Sequence, residues 1–422
     1  MNYVPASGEI VVLAAFAANP DMSSETGIGW LFTKVAGNVA RERGFTVVPV
    51  MNLRSAVRVR AELEKYGLHE HVKPIGIAMP RRFRFLETNP RLTRLEYLVW
   101  WWKARTVLRS LNSEHRITLA HHVTFATEMF PTPVGCLPTS TYRVWGPIGA
   151  SGDSSVYDIA PVTPMSKREK KVQLVRGFLA RRVARFFSQG IDYVYAQNES
   201  VEAMFVKMGR SVETFPNVVL SDGLRTAISD LPVPEPAEDQ KTGIDILAVG
   251  HLIPRKRFEI AIAAMADDRL RSSTLTIVGA PLPGTPNYLP GIVENFGVGD
   301  RVKFVGKIAR ADVLKHMNTC DVLIHPSARE GASGVVGEAT AVGIPVVCFS
   351  RTGASSVLDA SGSSGVQLST SEYDSSALVS ALLKAATMPR IRSRVWTEAR
   401  FEALVRQAHS DAVARRVTNS LS

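Results

Sequence analysis

The stretch between residues 322 and 349 constrains the fold more than any other part of the chain. It begins with an apolar run, Val322–His325, and passes through a short loop into Gly334–Val342, a stretch that reads as a helix. Gly343 and Pro345 are the residue types that end a helix and begin a following strand. Two buried strands joined by a helix predict a βαβ unit, and therefore a parallel sheet.

The same alternation recurs along most of the chain. In the first half, strands are predicted at Ile10–Ala18, Phe45–Met51, Val72–Ala78, Arg116–Val123, Thr141–Trp145 and Tyr193–Ala196. In the second half, they are predicted at Ile244–Val249, Leu275–Val278, Val302–Val305 and Pro345–Phe349. Further helices are expected at Trp30–Arg43, Phe258–Ala266 and Ala311–Asn318, with a terminal helical region at Ile391–Arg416. Strands interleaved with helices predict the α/β class.

The alternation breaks between residues 221 and 242, where the chain is rich in proline and acidic residues, as linkers often are. Because 422 residues exceed what one hydrophobic core usually spans, we predict two doubly wound, Rossmann-like domains facing a cleft. Residues 1–220 form the first domain, 221–242 the linker and 243–390 the second domain. Residues 391–422 form a helical segment that returns to the first domain.

Composition narrows the setting of the protein. Hydrophobic residues make up 45% and charged residues 21% of the chain, as in soluble globular proteins. The three cysteines form no CxxC pair, so neither a disulfide framework nor a zinc site is predicted, and a cytoplasmic location is favoured. Ile10–Ala18 lacks the basic leader of a signal peptide, and no apolar run is long enough to span a bilayer. The net charge of +11 is compatible with an anionic membrane, phosphorylated substrates or nucleic acid.

The start of the Gly334–Val342 helix is a candidate anion site. Ser333 and Gly334 are small, so a ligand can approach the free N–H groups of the first turn at the carboxyl edge of a parallel sheet. Glu330 precedes this helix and Glu338 lies inside it. On these grounds alone, Glu330 is as well explained by a favourable interaction with the helix dipole as by a functional role.

The spacing of these residues is that of a known family. Seven residues separate Glu330 from Glu338, and the surrounding letters read PSAREG and EATAVGIPVV. The chain in this respect resembles the GT4 glycosyltransferases, retaining enzymes of the GT-B fold. The resemblance implies that Glu330 and neighbouring backbone amides hold the donor sugar, and that Glu338 binds the ribose. The implied amide donors are Gly331, Ser333, Gly334 and Val335, although Ala332 and Ser333 replace the usual phenylalanine and glycine.

Upstream, the segment ILAVGHLIPRKRFEIAIAAM is similar to the family's strand, GRLxxxKG and helix. The resemblance implies that Lys256 contacts the donor diphosphate. It also implies that the backbone of Gly306–Ile308 contacts the nucleobase. His251 stands where the family has an arginine, and Arg257 where it has a glycine. One fixed positive charge is therefore missing from the donor site unless Arg255 or Arg257 compensates.

Three segments of the first half, SETGIGW, HHVTF and WGPIG, are similar to a subgroup of the same family, with Ala150 replacing a final glycine. The resemblance places Gly27 and Gly29 in a loop whose amides face the donor phosphates and the acceptor. It places His122 at the cleft, near the donor sugar and the reacting hydroxyl, although such a histidine is by type more often structural. Asn217 matches an interdomain turn, and a turn role is the simpler interpretation.

These features predict transfer of a sugar from a nucleotide diphosphate sugar to a hydroxyl acceptor, in polysaccharide, glycolipid or natural-product synthesis. The resemblance implies retention of configuration, with the leaving phosphate oxygen taking the acceptor proton. Lys256, the helix start and the amides of Gly27 and Gly29 would stabilise the leaving diphosphate, while Glu330 and His122 position the sugar. No cofactor is expected. No Asp-x-Asp motif occurs in the sequence, which favours a metal-independent reaction.

Other interpretations stay open at this level. The departures at His251, Ala332 and Ser333 are compatible with a GT-B-like protein that binds a nucleotide sugar without transferring it. A two-carboxylate glycoside hydrolase fits less well, because Lys256 and the helix start would be superfluous there. Nucleic acid as a partner rests on charge alone, so none is predicted.

Two segments raise the question of membrane contact. Ser166–Phe187 combines clustered basic residues with apolar residues at helical spacing, which is compatible with peripheral binding to the anionic inner face of a membrane and equally with a solvated face. Trp100–Trp102 lies beside basic residues, as at a membrane interface, but packing of aromatic bulk in the core is the preferred interpretation.

Overall fold

The computed structural model describes residues 8–22, 25–149, 151–232 and 242–421. Two parallel sheets organise this part of the chain, one in each half, and helices cover both faces of each sheet. The predicted α/β class with two Rossmann-like units is confirmed. Ser24 and Ala150 of the motifs above, and residues 233–241 of the predicted linker, lie outside the described residues.

The first sheet has seven strands in the order β3-β2-β1-β4-β5-β6-β7. Because the order reverses between β1 and β4, the carboxyl ends of these two strands flank a crevice, as in other doubly wound sheets. The short strand β7 was not predicted. The strands are β1 (Ile10–Ala15), β2 (Thr46–Asn52), β3 (Ile75–Ile77), β4 (Ile117–Thr124), β5 (Tyr142–Ile148), β6 (Tyr193–Ala196) and β7 (Val212–Thr214).

The helices of the first half follow the predicted alternation, with two differences. The first helix begins at Glu25 rather than at Trp30. A further helix lies inside the predicted linker, where the Ser221 hydroxyl caps it by accepting from the N–H of Leu224 at 3.3 Å. The helices are α1 (Glu25–Arg43), α2 (Leu53–Lys65), α3 (Phe85–Thr88), α4 (Thr93–Glu114), α5 (Pro164–Phe187), α6 (Glu199–Val206) and α7 (Asp222–Ser229).

The second sheet has six strands in the order β10-β9-β8-β11-β12-β13, and its order reverses between β8 and β11. Its strands are β8 (Asp245–Val249), β9 (Thr274–Val278), β10 (Val302–Gly306), β11 (Val322–His325), β12 (Val346–Phe349) and β13 (Gly365–Leu368). The helices are α8 (Phe258–Ala264), α9 (Leu289–Phe296), α10 (Arg310–Thr319), α11 (Gly334–Val342), α12 (Gly353–Ser361), α13 (Ser375–Ala386) and α14 (Glu398–Leu421).

The last helix, α14, packs on the first half of the chain. The rings of Phe401 and Phe32 meet edge to face with their centroids 5.3 Å apart. An ion pair between Lys34 and Glu398, 2.8 Å long, ties α1 to the start of α14. Residues 391–397 of the predicted terminal helical region are not helical.

A short segment between β5 and α5 packs on the other half of the molecule. Val156, Tyr157 and Ile159 are buried in the core that the second sheet forms with α8 and α13. The N–H of Asp153 donates to the carbonyl of Ala328 at 3.1 Å in the same region. Residues 153–159 therefore belong to the second core, although the predicted boundary at residue 220 assigns them to the first domain.

The tryptophan cluster on α4 divides between core and surface. Trp100 is fully buried, as predicted, but Trp102 is 62% exposed, so the core interpretation is wrong for that residue. Among the residues that the structure describes, no helix is both long and apolar enough to cross a membrane.

Candidate functional site

A cleft of about 570 Å³ separates the two halves of the molecule. Of the residues predicted to bind a donor, Gly331, Gly334 and Glu338 line it. Residues 217–221, which join the two halves, form part of the wall. The remaining lining side chains come from both halves: Glu25, Ile28, Gln197, Leu224, Arg310 and Ala332.

The start of α11 forms one wall of this cleft. The Ser333 side chain caps the helix by accepting from the N–H of Val336 at 3.4 Å, and Gly343 ends it in a left-handed conformation, as predicted. Gly334, the first residue of the helix, borders the cleft. The free N–H groups of this first turn, which includes Val335, and the positive end of the helix dipole therefore offer a place for an anion.

A buried ion pair lies immediately behind Gly331. Lys256 Nζ is 2.6 Å from Glu330 Oε1, and the two side chains are only 9% and 12% exposed. Burial by itself raises the pKa of Glu330, but the positive charges of Lys256 and Arg255 outweigh it and lower the pKa to about 2. Ser327 also donates to Glu330 Oε1, at 2.8 Å. Glu330 is thus a fixed carboxylate at neutral pH.

Two backbone contacts hold this pair in place. Lys256 ends a short 3₁₀ helix that follows β8, and the carbonyl of the preceding Arg255 accepts from the N–H of Ala328 at 2.9 Å. The Ser327 hydroxyl oxygen lies 3.2 Å from the same carbonyl oxygen. The loop after β8 and the loop after β11 are therefore joined directly beneath the ion pair. His251 is exposed at the start of the first of these loops.

Arg257 does not supply the missing positive charge of the predicted donor site. Its side chain is fully buried, pairs with Glu259 at 3.2 Å and donates to the carbonyl of Ile159 in the segment between β5 and α5. Its backbone has φ +55, the left-handed conformation that the family's glycine adopts without strain. Arg257 therefore holds the segment between β5 and α5 on the second core instead of facing a ligand.

Glu338 is almost completely buried, and its partner was not predicted. Arg310, the first residue of α10, forms an ion pair with Glu338 Oε1 and is itself 58% exposed. Burial lowers the pKa of Arg310. A cation at a helix N-terminus interacts unfavourably with the helix dipole. The presence of Arg310 at the first position of α10 is therefore a sequence signal that could have identified this residue as functional. Ile308, two residues earlier, is partly buried against the same core.

The prediction of a glycine loop in the first half is wrong, because Gly27 and Gly29 lie inside α1. Gly29 is required for packing: a Cβ there would come within 2.8 Å of Thr124 Cγ2 and closer still to the carbonyl of Ala17. The residue that borders the cleft at the start of α1 is Glu25, which accepts from the N–H of Phe125 at 2.7 Å. Burial raises the pKa of Glu25.

His122 does not face the cleft. It lies fully buried within β4, with its ring stacked near those of Tyr97 and Trp145. His122 Nε2 lies 2.9 Å from the carbonyl oxygen of Thr124, and burial lowers its pKa to about 3. The structure therefore places His122 in the core as a neutral side chain, and the predicted position near a donor sugar is wrong.

A second, smaller pocket of about 320 Å³ lies on the other side of the start of α1. Thr26 borders this pocket, whereas Glu25 and Ile28 border the cleft. Its other polar lining residues come from the chain after β1, the end of β2, helix α2, and the chain before and within α4: Asn19, Asn52, Arg54, Ser55, Arg58, Glu87, Asn89, Thr93 and Glu96.

Two doubly wound sheets that face each other across such a cleft define the GT-B class of fold. A solved apo form of the lipopolysaccharide outer core galactosyltransferase WaaB shares this fold, with a TM-score of 0.57 and 13% identity over 98% of this chain and 99% of that chain. Residues 234–400 match the family model described as glycosyl transferases group 1. The predicted resemblance is confirmed.

Two curated relatives agree with this assignment. The lipopolysaccharide glucosyltransferase WaaG of Escherichia coli is 28% identical over 198 residues, 42% of this chain and 52% of that protein. A GDP-mannose-dependent alpha-(1-6)-phosphatidylinositol monomannoside mannosyltransferase of Mycobacterium tuberculosis is 28% identical over 193 residues, 42% of this chain and 48% of that protein. The chain thus spans about half the length of the curated relatives it matches.

Proposed function

We propose that the protein transfers a sugar from a nucleotide diphosphate sugar to a hydroxyl acceptor. One observation carries this proposal. Glu338 and the start of α11 border the same cleft, and Glu330, which pairs with Lys256, immediately precedes Gly331 of that wall. In this proposal the wall supplies a carboxylate for ribose hydroxyls and amides for phosphate oxygens, and Lys256 approaches the diphosphate.

In this proposal each group has a separate task. Glu338 accepts hydrogen bonds from the ribose, and Arg310, its exposed partner, moves aside or bridges to the nucleotide. The first-turn N–H groups of α11, together with Lys256, stabilise the negative charge that develops on the leaving diphosphate. Glu330 stays ionised because its pKa is about 2, so it accepts hydrogen bonds from sugar hydroxyls and does not act as an acid.

We further propose that the anomeric configuration is retained, as the family resemblance implies. As the anomeric bond breaks, positive charge grows on the sugar ring and the diphosphate oxygen becomes basic. In a same-face displacement that oxygen takes the proton of the acceptor hydroxyl, and the acceptor oxygen bonds to the anomeric carbon. His122 is removed from this scheme because it is buried away from the cleft.

The pocket beside α1 is the proposed acceptor site. Its three asparagine side chains, Asn19, Asn52 and Asn89, and its charged side chains, Arg54 and Glu96, offer the donors and acceptors that a polyhydroxyl compound requires. The start of α1 borders both this pocket and the cleft, so in this proposal an acceptor hydroxyl approaches the donor around that helix end.

A screen of nucleotide sugars for binding and turnover tests the proposed function. Glu330→Gln and Lys256→Met are expected to lower the turnover number by a factor of at least about 100, the effect typical of losing one electrostatic stabiliser. Lys384→Met, on α13, is the matched surface control and retains turnover. If both site variants turn over like the wild type, the assigned site is wrong. Binding without turnover in the wild type would identify a nucleotide-sugar-binding protein instead.

We further propose that α5 holds the protein peripherally on the inner, anionic face of a membrane. This helix exposes Val175 (61%), Phe178 (49%) and Phe186 (67%), large apolar side chains that a solvated helix would not present. Basic side chains lie between them: Lys167, Arg168, Lys170, Lys171, Arg176, Arg181, Arg182 and Arg185. Such interleaving suits the interface of an anionic bilayer, where charge attracts and apolar groups insert.

Vesicle sedimentation distinguishes this arrangement from a merely solvated helix. The protein should bind vesicles containing phosphatidylglycerol, be released by high salt, and bind vesicles of pure phosphatidylcholine weakly. Phe178→Ser combined with Phe186→Ser should weaken binding, whereas Phe296→Ser, at an exposed site of the second half, should not. Equal binding by the double variant would contradict the proposal.

A further inference from the structure

Asn198 joins the two halves of the molecule at the donor loop. It lies between β6 and α6 in the first half and is fully buried. Its Nδ2 donates to two successive carbonyls of the second half, that of Glu330 at 3.1 Å and that of Gly331 at 2.8 Å. Its Oδ1 accepts from the N–H of Val201 at 3.1 Å and from the hydroxyl of Ser200 at 2.8 Å. One amide side chain thus caps α6 and forms hydrogen bonds with the loop before α11.

The geometry of the peptide bond gives this contact a consequence for the cleft. In a trans peptide, the C=O of one residue and the N–H of the next point in opposite directions. When Asn198 binds the carbonyls of Glu330 and Gly331, the N–H groups of Gly331 and Ala332 are turned away from it. Both of these residues line the cleft, so the contact turns two backbone donors toward the proposed donor site.

Neighbouring contacts show that this junction is closely packed. A Cβ on Gly331 would collide with Gln197 Oε1, so the first half packs directly against the loop. The N–H of Glu199 donates to the Ser356 hydroxyl on α12 at 3.0 Å. The amide of Asn198 therefore has little freedom to choose other partners.

We infer that Asn198 is a positioning residue, which orients the N–H groups of Gly331 and Ala332 when the two halves are closed. This inference rests on the proposed function. The sugar would meet correctly directed donors only while Asn198 holds the loop, whereas the nucleoside diphosphate, bound near Glu338 and the first turn of α11, would not depend on it. The sugar site is therefore complete only when the cleft is closed.

The test is Asn198→Asp. Asp caps a helix as well as Asn does, so α6 is retained. Its second carboxyl oxygen, however, faces the carbonyls of Glu330 and Gly331 and repels them. We expect turnover of UDP-glucose or GDP-mannose, whichever the wild type uses, to fall by a factor of about 10 to 100. The Kd of the matching nucleoside diphosphate should stay within about threefold, whereas Tm should fall because the new carboxylate is buried against two carbonyl oxygens.

Two further variants make the result decisive. Asn198→Ser keeps a capping hydroxyl but is too short to reach the loop, and it should lose turnover in the same way. Ser356→Ala removes another contact between the halves without touching the loop, and it should retain turnover. Turnover unchanged in Asn198→Asp, or turnover lost in proportion to nucleoside diphosphate affinity, would overturn the inference.

Failure of the proposed function gives a different result. If the wild type binds a nucleotide sugar but does not transfer it, the affinity ratio of nucleotide sugar to nucleoside diphosphate replaces turnover as the measurement. Asn198→Asp should then lower that ratio by a factor of about 10 or more, since only the sugar contacts depend on the loop. An unchanged ratio would refute the role of Asn198 even in a protein without transferase activity.

Discussion

Replacing Lys256 by methionine leaves the carboxylate of Glu330 buried without its counter-charge. Glu330 is 12% exposed, and its pKa of about 2, against a usual value of 4.5, corresponds to about 3 kcal/mol in favour of the ionised form. Removing Lys256 reverses this balance, because burial then raises the pKa. We expect Lys256→Met to lower the free energy of unfolding by about 3 to 5 kcal/mol at pH 7, as for other broken buried pairs.

The pH dependence of this loss follows from the sign of the shift. A carboxyl group whose pKa is lowered on folding stabilises the folded state above about pH 4.5, and this contribution disappears as the pH falls towards 2. The difference between wild type and Lys256→Met should therefore shrink as the pH is lowered below about 4.5. At neutral pH the double variant Lys256→Met/Glu330→Gln should regain most of the stability, because no unpaired charge is left in the core.

Urea titrations followed by tryptophan fluorescence at pH 7 and pH 4 measure both effects. Lys384→Met provides the matched lysine control on the surface. The reasoning is refuted if Lys256→Met is no less stable than Lys384→Met. It is equally refuted if the double variant is as unstable as the single one, or if the loss is the same at both pH values.

Three more perturbations test other parts of the structure. Glu338→Gln should weaken nucleoside diphosphate binding by a factor of about 10 to 100 in calorimetry, and unaltered affinity would contradict its ribose role. Gly29→Ala should cost about 1 to 3 kcal/mol through overpacking, whereas Gly223→Ala, with nothing within 4 Å, should be neutral. Burial lowers the pKa of His121 to about 4 and of His122 to about 3. As the pH falls below 6.5, the unfolded chain therefore takes up a proton on each histidine before the folded protein does. Stability should fall by about 1.4 kcal/mol per histidine for each pH unit below 6.5, and a flat profile down to pH 5 would disprove this.

The region around α11 could be predicted from the sequence because its signals are local. Gly343 ends the helix and Pro345 precedes the next strand, and the strand Val322–His325 and helix Gly334–Val342 have the predicted bounds. Lys256 and Glu330 were both expected at the donor site, although their direct ion pair was not. Residue type and spacing sufficed here because each element is defined within a few residues.

Other predictions failed for two reasons. Some residues form their contacts with partners far away along the chain, and some segments have no hydrophobic pattern that shows which face a side chain occupies. β4 is buried along its whole length, so the sequence shows no alternation that would tell which face His122 occupies. Gly27 and Gly29 are poor helix formers, and their tight packing inside α1 outweighs that local preference. The partners of Arg257 and Asn198 lie about 100 residues or more away along the chain. No local signal in the sequence predicts those contacts.

The burial of Val156, Tyr157 and Ile159 in the second core determines which fragments of the chain can fold by themselves. A fragment that begins after residue 232 contains the whole region matched by the family yet lacks three side chains of its own interior. Such a fragment would expose the apolar side chains that these three residues normally cover, and it would tend to aggregate. The second half of this chain can accordingly be exchanged with that of a relative only if the chimaera carries a matching 153–159 segment, so recombination at the interdomain linker alone would leave the new interior incomplete.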